Sequence, residues 1–415
     1  MKEIGRKTLY YLTASYPYGI SEQWKKNELE ILKKYFDIIV IPHTYGGNHT
    51  ARNLVDGVEY REPLVKNDDV NTTKVEKILS LLPLFFSPSF MPTLLKEIVV
   101  NKLYLSSKKL KIFLGFCLIV SSLKKNKAYR QLLLENKPDV IFYYFWGIGS
   151  VTLLPFMKKS KVVSLCRFLG WDMYSERHPG NYIPFQEILL RRLNLVLPCS
   201  DSGKKYLAEK LPFVKGKLET ARLATLTKGE NPFLDDNRLK IVTCSFAVPV
   251  KRLDILCKAL LIARTPIHWT HIGGGPLLDE LKNYARSFPP NVEAHFTGTV
   301  ESTAVPEIYK EQSFDLFLNL SESEGVPVAV MEAFAASIPV YATDVGGTSE
   351  IVNNEVGKLL PANISPEHLA ILLREFHGLT NEEKLRLRKN AFARYKDRCD
   401  AHVNAEKLAK LMSAI

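Results

Sequence analysis

The stretch from Ser321 to Glu350 limits the fold of this 415-residue chain more than any other segment. It follows the short apolar run Phe314 to Leu320, which is typical of a buried strand in a parallel sheet. Pro327 fits the first turn of a helix, and the small and apolar residues 328–336 predict that this helix is packed in a core. In open α/β sheets, ligands bind where such strands end and the following helices begin. The segment therefore predicts an α/β fold with a ligand site at this point.

Two carboxylates in this segment are candidates for ligand contacts. Glu324 lies on the predicted loop over the strand end, and Glu332 follows eight residues later, early in the predicted helix. Helical side chains lean toward the helix N-terminus, so both carboxylates can face one crevice. Gly325 lets a ligand approach the backbone, and free N–H groups at a helix start suit an anion. Carboxylates for hydroxyls beside amides for phosphates favour a ligand such as a nucleotide sugar.

Each carboxylate also has an ordinary structural interpretation. Glu324 can simply favour the helix dipole, which is worth roughly 0.3–1 kcal/mol. Glu332 can be a solvated helix residue, although its neighbours in residues 330–335 are otherwise apolar or small. A carboxylate in such surroundings needs a partner, which favours the ligand-binding interpretation.

The spacing of these residues resembles the donor-site signature of the family 4 retaining glycosyltransferases, of the bacterial exopolysaccharide and colanic-acid type. The matching residues are Glu324, Gly325, Pro327, Glu332, Pro339, Val340, Gly346, Gly347 and Glu350. So many matches at fixed spacing are far more specific than a single glycine motif. The resemblance implies the GT-B fold, in which two Rossmann-like domains face each other across a cleft. It also implies that a sugar moves from a nucleotide-diphosphate donor to a glycan or lipid-linked acceptor with retained configuration, in surface polysaccharide synthesis.

The length of the chain predicts two domains, because 415 residues exceed what one hydrophobic core usually supports. We expect an acceptor-side Rossmann-like domain over residues 1–230 and a nucleotide-sugar-binding domain over residues 231–390. A helix within residues 391–415 is expected, by resemblance, to pack back on the first domain. The hydrophobic content of 46% and the charged content of 24% are typical of globular proteins.

The cysteines and the N-terminus bear on where the protein works. Six cysteines form no Cys-x-x-Cys pair and mostly lie in apolar runs, which is typical of reduced core residues in a cytosolic protein. The first residues contain no apolar signal-peptide core, so export is not expected. We expect a cytoplasmic protein, with peripheral attachment to the inner face of the membrane as an open alternative.

In the first domain, the resemblance points to two loops. The family carries a glycine-rich loop after the first strand, near the donor diphosphate and the acceptor. Here only Gly19 is present, and an ordinary turn glycine is an equal alternative. After the predicted strand 161–167, Gly170 and Asp172 match a family segment that touches the donor sugar. Leu169 stands where that segment has a histidine, which removes a usual hydrogen-bond donor.

The polar side chains around this second loop are candidates for the acceptor side of the cleft. They are Arg167 and Glu176, together with Gly170 and Asp172. The alternative is that Arg167, Asp172, Glu176 and Arg177 form an ion-pair network that only holds the loop.

Phosphate-binding residues of the second domain are predicted around Lys251. The family carries an arginine and, five residues on, a lysine; here Phe246 occupies the first position and Lys251 the second. Lys251 precedes a helix start, where its charge opposes the helix dipole, so an anionic ligand explains it better than stability does. Arg252 is a further candidate for the donor phosphates. Gly273 and Gly274 permit close approach of the backbone to a nucleotide, and packing of the turn is the alternative explanation.

Residues 74–130 predict a helical, basic insertion in the first domain. From Lys96 to Arg130 there are nine Lys or Arg and a single acid, Glu97, around the apolar run Ile112 to Val120. Nine residues are too few to span a bilayer, which takes roughly 20. The run predicts either an interfacial helix on anionic lipid or an ordinary core helix with a solvated basic face. The net charge of +12 is therefore more readily assigned to a membrane or anionic substrate than to nucleic acid, for which no motif is present.

The resemblance also sets the expected chemistry. Such an enzyme must stabilise a leaving diphosphate and an oxocarbenium-like centre. The candidate catalytic residues are Asp172, Lys251 and Glu324. The expected donor-binding residues are Lys251, Arg252, Gly273, Gly274, Glu324, Gly325, Val326, Pro327 and Glu332. The chain has no Asp-x-Asp and no Cys/His cluster, so we expect no metal and no cofactor besides the donor substrate.

Three other functions stay open from the sequence alone. A nucleotide-sugar epimerase or phosphorylase can use the same architecture. A catalytically silent nucleotide-sugar or glycan-binding protein is made credible by Leu169 and Phe246. A basic nucleic-acid binder is the third, and it predicts strongly salt-dependent binding.

Overall fold

In a computed structural model of the protein, the described residues are 6–19, 22, 24–47, 49–65, 74–88, 90–127, 129, 131, 139–143, 162–170 and 172–415. The chain divides into two compact units. Unit 1 contains Met1–Ala221 and Ala405–Ile415, and unit 2 contains Arg222–Asn404. The sequence predicts a domain boundary between residues 230 and 231, whereas the structure separates the units between residues 221 and 222.

Unit 1 is built on a six-stranded parallel sheet. Its strands are β1 (Lys7–Thr13), β2 (Phe36–Pro42), β3 (Glu59–Tyr60), β4 (Val140–Tyr143), β5 (Val163–Phe168) and β6 (Leu195–Pro198). The strand order is β3-β2-β1-β4-β5-β6. Leu9 of β1 pairs with Ile38 on one side and Val140 on the other. Residues 9–12 are all buried, as expected for the central strand of a sheet that is covered on both faces.

The described helices of unit 1 lie on this sheet and in the insertion. They are α1 (Lys25–Leu32), α2 (Lys74–Phe85), α3 (Met91–Val100), α4 (Ser107–Lys125), α5 (Gln186–Arg192) and α6 (Asp201–Lys210). In α4, Phe113, Cys117 and Val120 are buried at the i, i+4 and i+7 spacing of one helix face. Phe113 packs against Phe185 with ring centroids 5.7 Å apart. Of the two alternatives for the run Ile112 to Val120, the structure supports the core helix.

Unit 2 repeats the architecture with a second six-stranded parallel sheet. Its strands are β7 (Leu239–Cys244), β8 (Ile267–Ile272), β9 (Val292–Phe296), β10 (Leu316–Asn319), β11 (Val340–Thr343) and β12 (Gly357–Leu360). The strand order is β12-β11-β10-β7-β8-β9. Its helices are α7 (Leu253–Leu261), α8 (Leu278–Ala285), α9 (Val305–Glu311), α10 (Val328–Ala335), α11 (Pro366–His377) and α12 (Asn381–Arg394). The predicted strand before Ser321 and the predicted helix after Pro327 are confirmed as β10 and α10.

Two further features complete the description. A last helix, α13 (Ala401–Ser413), crosses from unit 2 into the C-terminal residues that belong to unit 1. All six cysteines are free, and all except Cys244 are buried. None of the helices in the described part of the chain is both long and apolar enough to cross a bilayer.

Candidate functional site

An ion pair between Lys251 and Glu324 lies at the carboxyl ends of two adjacent strands of unit 2. Lys251 ends a short 3₁₀ turn after β7, and Glu324 lies on the loop after β10. These strands pair directly, with Leu316 opposite Ile241, so the loops that follow them meet. Lys251 Nζ stands 2.6 Å from Glu324 Oε1, and the two side chains are 27% and 13% exposed. The pair is therefore partly shielded from water but still open to a ligand.

Polar residues at the end of β10 fix the position of Glu324. Ser321 Oγ donates to Glu324 Oε1 at 2.6 Å, and Asn319 Nδ2 lies 3.4 Å from the same oxygen. Ser321 Oγ also lies 2.6 Å from Asn319 Oδ1. Asn319 and Ser321 are not among the site residues predicted from the sequence. The available signal was the alternation of polar Asn319 and Ser321 with Leu320 where the apolar run ends.

The Gly346–Gly347 turn holds the Glu324 loop from the other side. Gly346 has a φ of 58°, and a Cβ there would stand 2.0 Å from the carbonyl oxygen of Glu324. The Gly347 amide donates to the Gly325 carbonyl at 2.6 Å. Glu350, the last residue of the motif, lies 3.4 Å from the guanidinium of Arg222. The glycines are thus required for two backbone segments to touch, which positions Glu324.

Arg252 is engaged by protein carbonyls. Its Nε donates to the Leu320 carbonyl at 2.7 Å, its Nη1 to the Ala362 carbonyl at 2.6 Å and its Nη2 to the Ser321 carbonyl at 3.4 Å. These bonds tie the segments that follow β10 and β12 to the start of α7. Arg252 therefore has a structural role in this structure, and its contact with donor phosphates stays a prediction.

The glycines after β8 allow three loops to pack closely. A Cβ at Gly273 would stand 2.1 Å from the Ser245 carbonyl oxygen, and one at Gly274 would stand 2.1 Å from Thr299 Oγ1. The Ala247 amide donates to the Gly274 carbonyl at 2.8 Å. Packing of the turn, the alternative explanation for these glycines, is thus supported. Their contact with a nucleotide stays a prediction.

Phe246 lies between these closely packed loops and is 61% exposed. Its backbone is held by the neighbouring bonds from Ser245 N to the Ile272 carbonyl and from Ala247 N to the Gly274 carbonyl. A large apolar side chain therefore points to solvent where the resemblance predicts a cationic one. This departure leaves Lys251 as the residue that matches the family's phosphate-binding pattern in this loop.

Glu332 lies on α10 among buried neighbours. Val330, Met331 and Ala333 are buried, whereas Glu332 is half-buried. Burial raises the pKa of Glu332 to about 7. Burial and then the nearby Glu332 charge raise the pKa of the Cys244 thiol to about 12. No hydrogen bond or ion pair to the Glu332 carboxyl is present among the described residues, so the partner that the sequence requires is not supplied by that part of the chain.

The residues just before α10 lie close to their predicted places. Pro327 is at the N-cap, one residue before the helix, instead of in its first turn. Its carbonyl accepts from the amides of Val330 and Met331 at 3.2 and 3.3 Å. Val326 is buried, and Gly325 is half-buried. Their contact with a donor stays a prediction.

Asp172 of unit 1 is buried in the loop after β5. Its Oδ1 accepts from the backbone amides of Leu169 at 2.8 Å and Gly170 at 3.0 Å. Gly170 has a φ of 153°, which favours glycine. Burial raises the pKa of Asp172 to about 6, although these hydrogen bonds lower it. The carboxylate thus stabilises the loop itself, and its contact with a sugar stays a prediction.

Arg167 lies on strand β5, inside unit 1. It is 1% exposed, and its Nη1 stands 2.7 Å from Glu28 Oε2. Its guanidinium carbon lies 5.4 Å from the centroid of the Phe142 ring. Tyr11 Oη donates to the other oxygen of Glu28 at 2.9 Å. The Arg167 side chain is thus paired within a buried network, and its role on the acceptor side of the cleft stays a prediction.

The remaining two candidates of unit 1 also have local partners. Glu176 accepts from Lys210 and, at 2.6 Å, from Tyr206 Oη. Burial opposes ionisation, but these hydrogen bonds lower the pKa of Glu176 to about 2. At Gly19, a Cβ would stand 1.9 Å from Ser15 Oγ, so the turn after β1 requires glycine. For Gly19 the structure provides a turn role, and an acceptor role stays a prediction.

The chain is similar to proteins that are named glycosyltransferases. The chain is 37% identical over 103 residues to the O-antigen biosynthesis glycosyltransferase WbnH of Escherichia coli, covering 25% of this chain and 28% of WbnH. It therefore spans little more than a quarter of that relative's length. It is 26% identical over 300 residues to the putative colanic acid biosynthesis glycosyltransferase WcaL of Escherichia coli K12, covering 69% of this chain and 73% of WcaL.

The fold is also shared with solved structures. Anabaena HepE in complex with UDP and glucose has a TM-score of 0.63 and 13% identity, covering 99% of this chain and 100% of HepE. This similarity confirms the predicted α/β, GT-B type of fold. The family described as "Glycosyl transferases group 1" matches residues 227–394, which include Lys251, Glu324 and Glu332. The resemblance inferred from the spaced glutamates is thereby confirmed over residues 227–394, which match the glycosyl transferases group 1 family.

Proposed function

We propose that the protein is a glycosyltransferase that moves a sugar from a nucleotide-diphosphate donor to a glycan or lipid-linked acceptor in surface polysaccharide synthesis. The observation that carries this proposal is the Lys251–Glu324 pair at the carboxyl ends of β7 and β10. A cation and a carboxylate side by side match the two polar parts of a nucleotide sugar, which are its diphosphate and its hydroxyls.

In this proposal Lys251 stabilises the leaving diphosphate. Its side chain is partly exposed, so an anion can reach the ammonium group. A hydrogen bond to a charged group contributes about 1.5–3 kcal/mol. The diphosphate gains negative charge as its bond to the sugar breaks, so this interaction is stronger in the transition state than in the ground state.

Glu324 and Glu332 are proposed to bind donor hydroxyls. Glu324 is an acceptor whose position is fixed by Ser321 and Asn319. Glu332 has a pKa of about 7, so it can donate a hydrogen bond when protonated and accept one when ionised. Asp172 stays a candidate for contact with the donor sugar, although its described bonds are to its own loop.

The donor, the setting and the mechanism are proposed from the relatives. HepE, which has the same fold, was solved with UDP and glucose, and this supports a UDP-sugar donor. WbnH and WcaL are named for O-antigen and colanic acid biosynthesis, and this supports a bacterial surface glycan as product. A location at the cytoplasmic face of the membrane is proposed from the free cysteines. Retention of configuration and transfer without a metal are proposed from the family resemblance.

A thermal-shift screen with UDP-, GDP-, ADP- and CMP-sugars, with and without chelator, tests the donor site. A ligand that binds only the folded state stabilises it by about 2.7 kcal/mol at about 100 times its Kd. We expect a shift with one nucleotide class that chelator does not change and that Lys251→Ala and Glu324→Ala remove. Lys258→Ala is the matched control, because Lys258 forms a comparable but exposed pair with Asp254 on α7.

A catalytically silent nucleotide-sugar-binding protein is the second candidate. It is favoured by Phe246 and Leu169, which stand where the family has an arginine and a histidine. Such a protein would give the same thermal shift but would release no nucleoside diphosphate with any acceptor. Release of nucleoside diphosphate that depends on acceptor would rule out both this candidate and an epimerase.

A further inference from the structure

Helix α3 exposes an apolar stripe. Met91, Leu95 and Val99 are spaced four residues apart, which places them on one helix face, and all three are exposed. Leu95 is 54% exposed and Val99 is 64% exposed. The buried residues of α3 are Thr93, Leu94 and Glu97, so the apolar stripe lies on a side of the helix that the core does not cover. An apolar helix face that its own core leaves uncovered is a candidate for binding a partner.

Exposed apolar side chains are also frequent on the neighbouring elements of unit 1. Ten of the nineteen exposed large apolar side chains of the described residues lie between positions 79 and 110. We call these ten the apolar surface: Leu79, Leu82, Phe86, Met91, Leu95, Val99, Val100, Tyr104, Leu105 and Leu110. Helices α2 and α3, the turn Leu103–Leu105 and α4 pack side by side. Monomeric soluble proteins rarely expose such clusters unless the cluster binds something.

The charges around the apolar surface are positive. Lys96, Lys102, Lys108 and Lys111 are exposed among its residues. Glu97, which is the single acid between residues 79 and 110, is buried in the core instead. Its Oε1 accepts from Tyr182 Oη at 2.7 Å and from the Phe185 amide at 2.8 Å. The apolar surface therefore presents apolar groups and cations, and residues 79–110 supply no exposed carboxylate to balance these cations.

A basic pocket adjoins the apolar surface where α3 meets α5. It has a volume of about 360 Å³ and is lined by Pro92, Thr93, Lys96, Ile188, Arg191 and Arg192. Arg191 is paired with Glu187 at 2.7 Å. Burial lowers the pKa of Arg192, so an anion in the pocket would stabilise its charged form. The size and the cations of this pocket suit a phosphate headgroup.

We infer that the apolar surface docks unit 1 on a bilayer that contains anionic phospholipid, with the basic pocket receiving a lipid phosphate. Apolar side chains beside lysines are typical of proteins that lie in the membrane interface. A second copy of the chain is a poorer partner, because a two-fold interface would place these lysines against one another. This membrane contact rests on the proposed function, because it deepens the proposed location at the membrane face. The residues that carry it are in unit 1, whereas the proposed donor site consists of residues of unit 2.

Co-sedimentation with vesicles tests the inference without any donor. The vesicles are phosphatidylcholine alone or phosphatidylcholine with phosphatidylglycerol. We expect about tenfold stronger partition into the anionic vesicles, weakened by added salt. The triple variant Phe86→Ser/Leu95→Ser/Val99→Ser should partition into the anionic vesicles about tenfold more weakly, because it removes exposed apolar area only. The double variant Lys96→Gln/Arg192→Gln should partition into the anionic vesicles at least about fivefold more weakly, because it removes two cations.

A matched control is Ile262→Ser/Ile371→Ser/Leu385→Ser, which removes three exposed apolar side chains from unit 2. This control should keep full vesicle binding. All variants should keep the donor-induced thermal shift in the absence of vesicles, which separates this inference from the proposed donor site. Equal binding of the triple variant and the unaltered protein, or no preference for anionic vesicles, would overturn the inference. A dimer in sedimentation velocity that the triple variant dissociates would overturn it too, in favour of contact between copies.

Discussion

Lys251 Nζ and Glu324 Oε1 are 2.6 Å apart although the residues are 73 positions apart in the chain. The pair forms because β7 and β10 are hydrogen-bonded neighbours, so the loops after them meet at one edge of the sheet. Glu324 also accepts from Ser321, which keeps the carboxylate in place when Lys251 turns toward an anion. A cation that can leave one partner for another is suited to binding and releasing a diphosphate.

The Lys251–Glu324 pair should contribute more to donor binding than to folding. Glu324→Gln keeps an acceptor for Ser321, so we expect a change in unfolding free energy within about 1 kcal/mol. Donor affinity should fall at least about tenfold, because the charged acceptor for the donor hydroxyls is lost. Denaturant unfolding and donor titration on the same sample measure both quantities. A loss of stability without a loss of affinity would assign Glu324 a structural role only.

Phe246 provides a gain-of-function test. Phe246→Arg should place a second cation near Lys251 and raise donor affinity by about tenfold, with a steeper salt dependence. The exposed position makes the substitution compatible with the fold. Phe246→Leu is the control that removes the ring and adds no charge. Titration of the donor at two salt concentrations distinguishes these outcomes, and equal affinity of the two variants would place Phe246 away from the phosphates.

Gly346 should be essential for the shape of the Glu324 loop. Gly346→Ala combines a φ of 58° with a Cβ 2.0 Å from the Glu324 carbonyl oxygen. We expect destabilisation of at least about 2 kcal/mol and loss of donor binding. Gly298→Ala is the matched control, since Gly298 has a φ of 70° but open space around its Cβ position.

Gly298→Ala should lower the free energy of unfolding by only about 1 kcal/mol. The difference between the two variants therefore separates backbone strain from the clash with the Glu324 carbonyl oxygen. Thermal unfolding with and without donor measures both effects. Equal costs at the two glycines would mean that the contact with Glu324 is unimportant.

Glu332 should make stability depend on pH. Its pKa in the folded protein is raised to about 7, from 4.5 in the unfolded chain. The folded state therefore binds more protons between these values, and stability falls as pH rises from about 4.5 to about 7. The free energy of unfolding should fall by up to about 3 kcal/mol across this pH range, and Glu332→Gln should remove that fall.

Asp172 has a pKa that is also raised, to about 6, so it contributes in the same direction. The informative quantity is thus the difference between Glu332→Gln and the unaltered protein. Urea unfolding at about pH 5 and about pH 8 measures it. Parallel pH profiles of the two proteins would contradict the raised pKa.

The buried Arg167–Glu28 pair should support folding. Arg167→Ala leaves the Glu28 carboxylate without its cation inside unit 1, and we expect a cost of about 3–5 kcal/mol. Arg191→Ala breaks a comparable pair with Glu187 on the surface and should cost at most about 1 kcal/mol. Chemical denaturation compares the two variants. Similar small costs would show that Glu28 finds another partner.

The sequence by itself determined the two parallel α/β sheets, the strand and helix on either side of Glu324, and the family signature. These depend on runs of apolar residues and on fixed spacings within short segments, which local patterns express directly. Only the tertiary structure decided which polar side chains are engaged by other parts of the protein. Arg252 and Arg167 have identical chemistry in the sequence, yet carbonyls after β10 and β12 hold one and Glu28 holds the other.

The same limit applies to the basic insertion. The run Ile112 to Val120 and the face of Met91, Leu95 and Val99 are both apolar in the sequence. The structure buries Phe113, Cys117 and Val120 in the core and leaves the α3 face in solvent. Burial depends on which elements pack together across long stretches of chain, so local periodicity predicts an apolar face without saying what covers it.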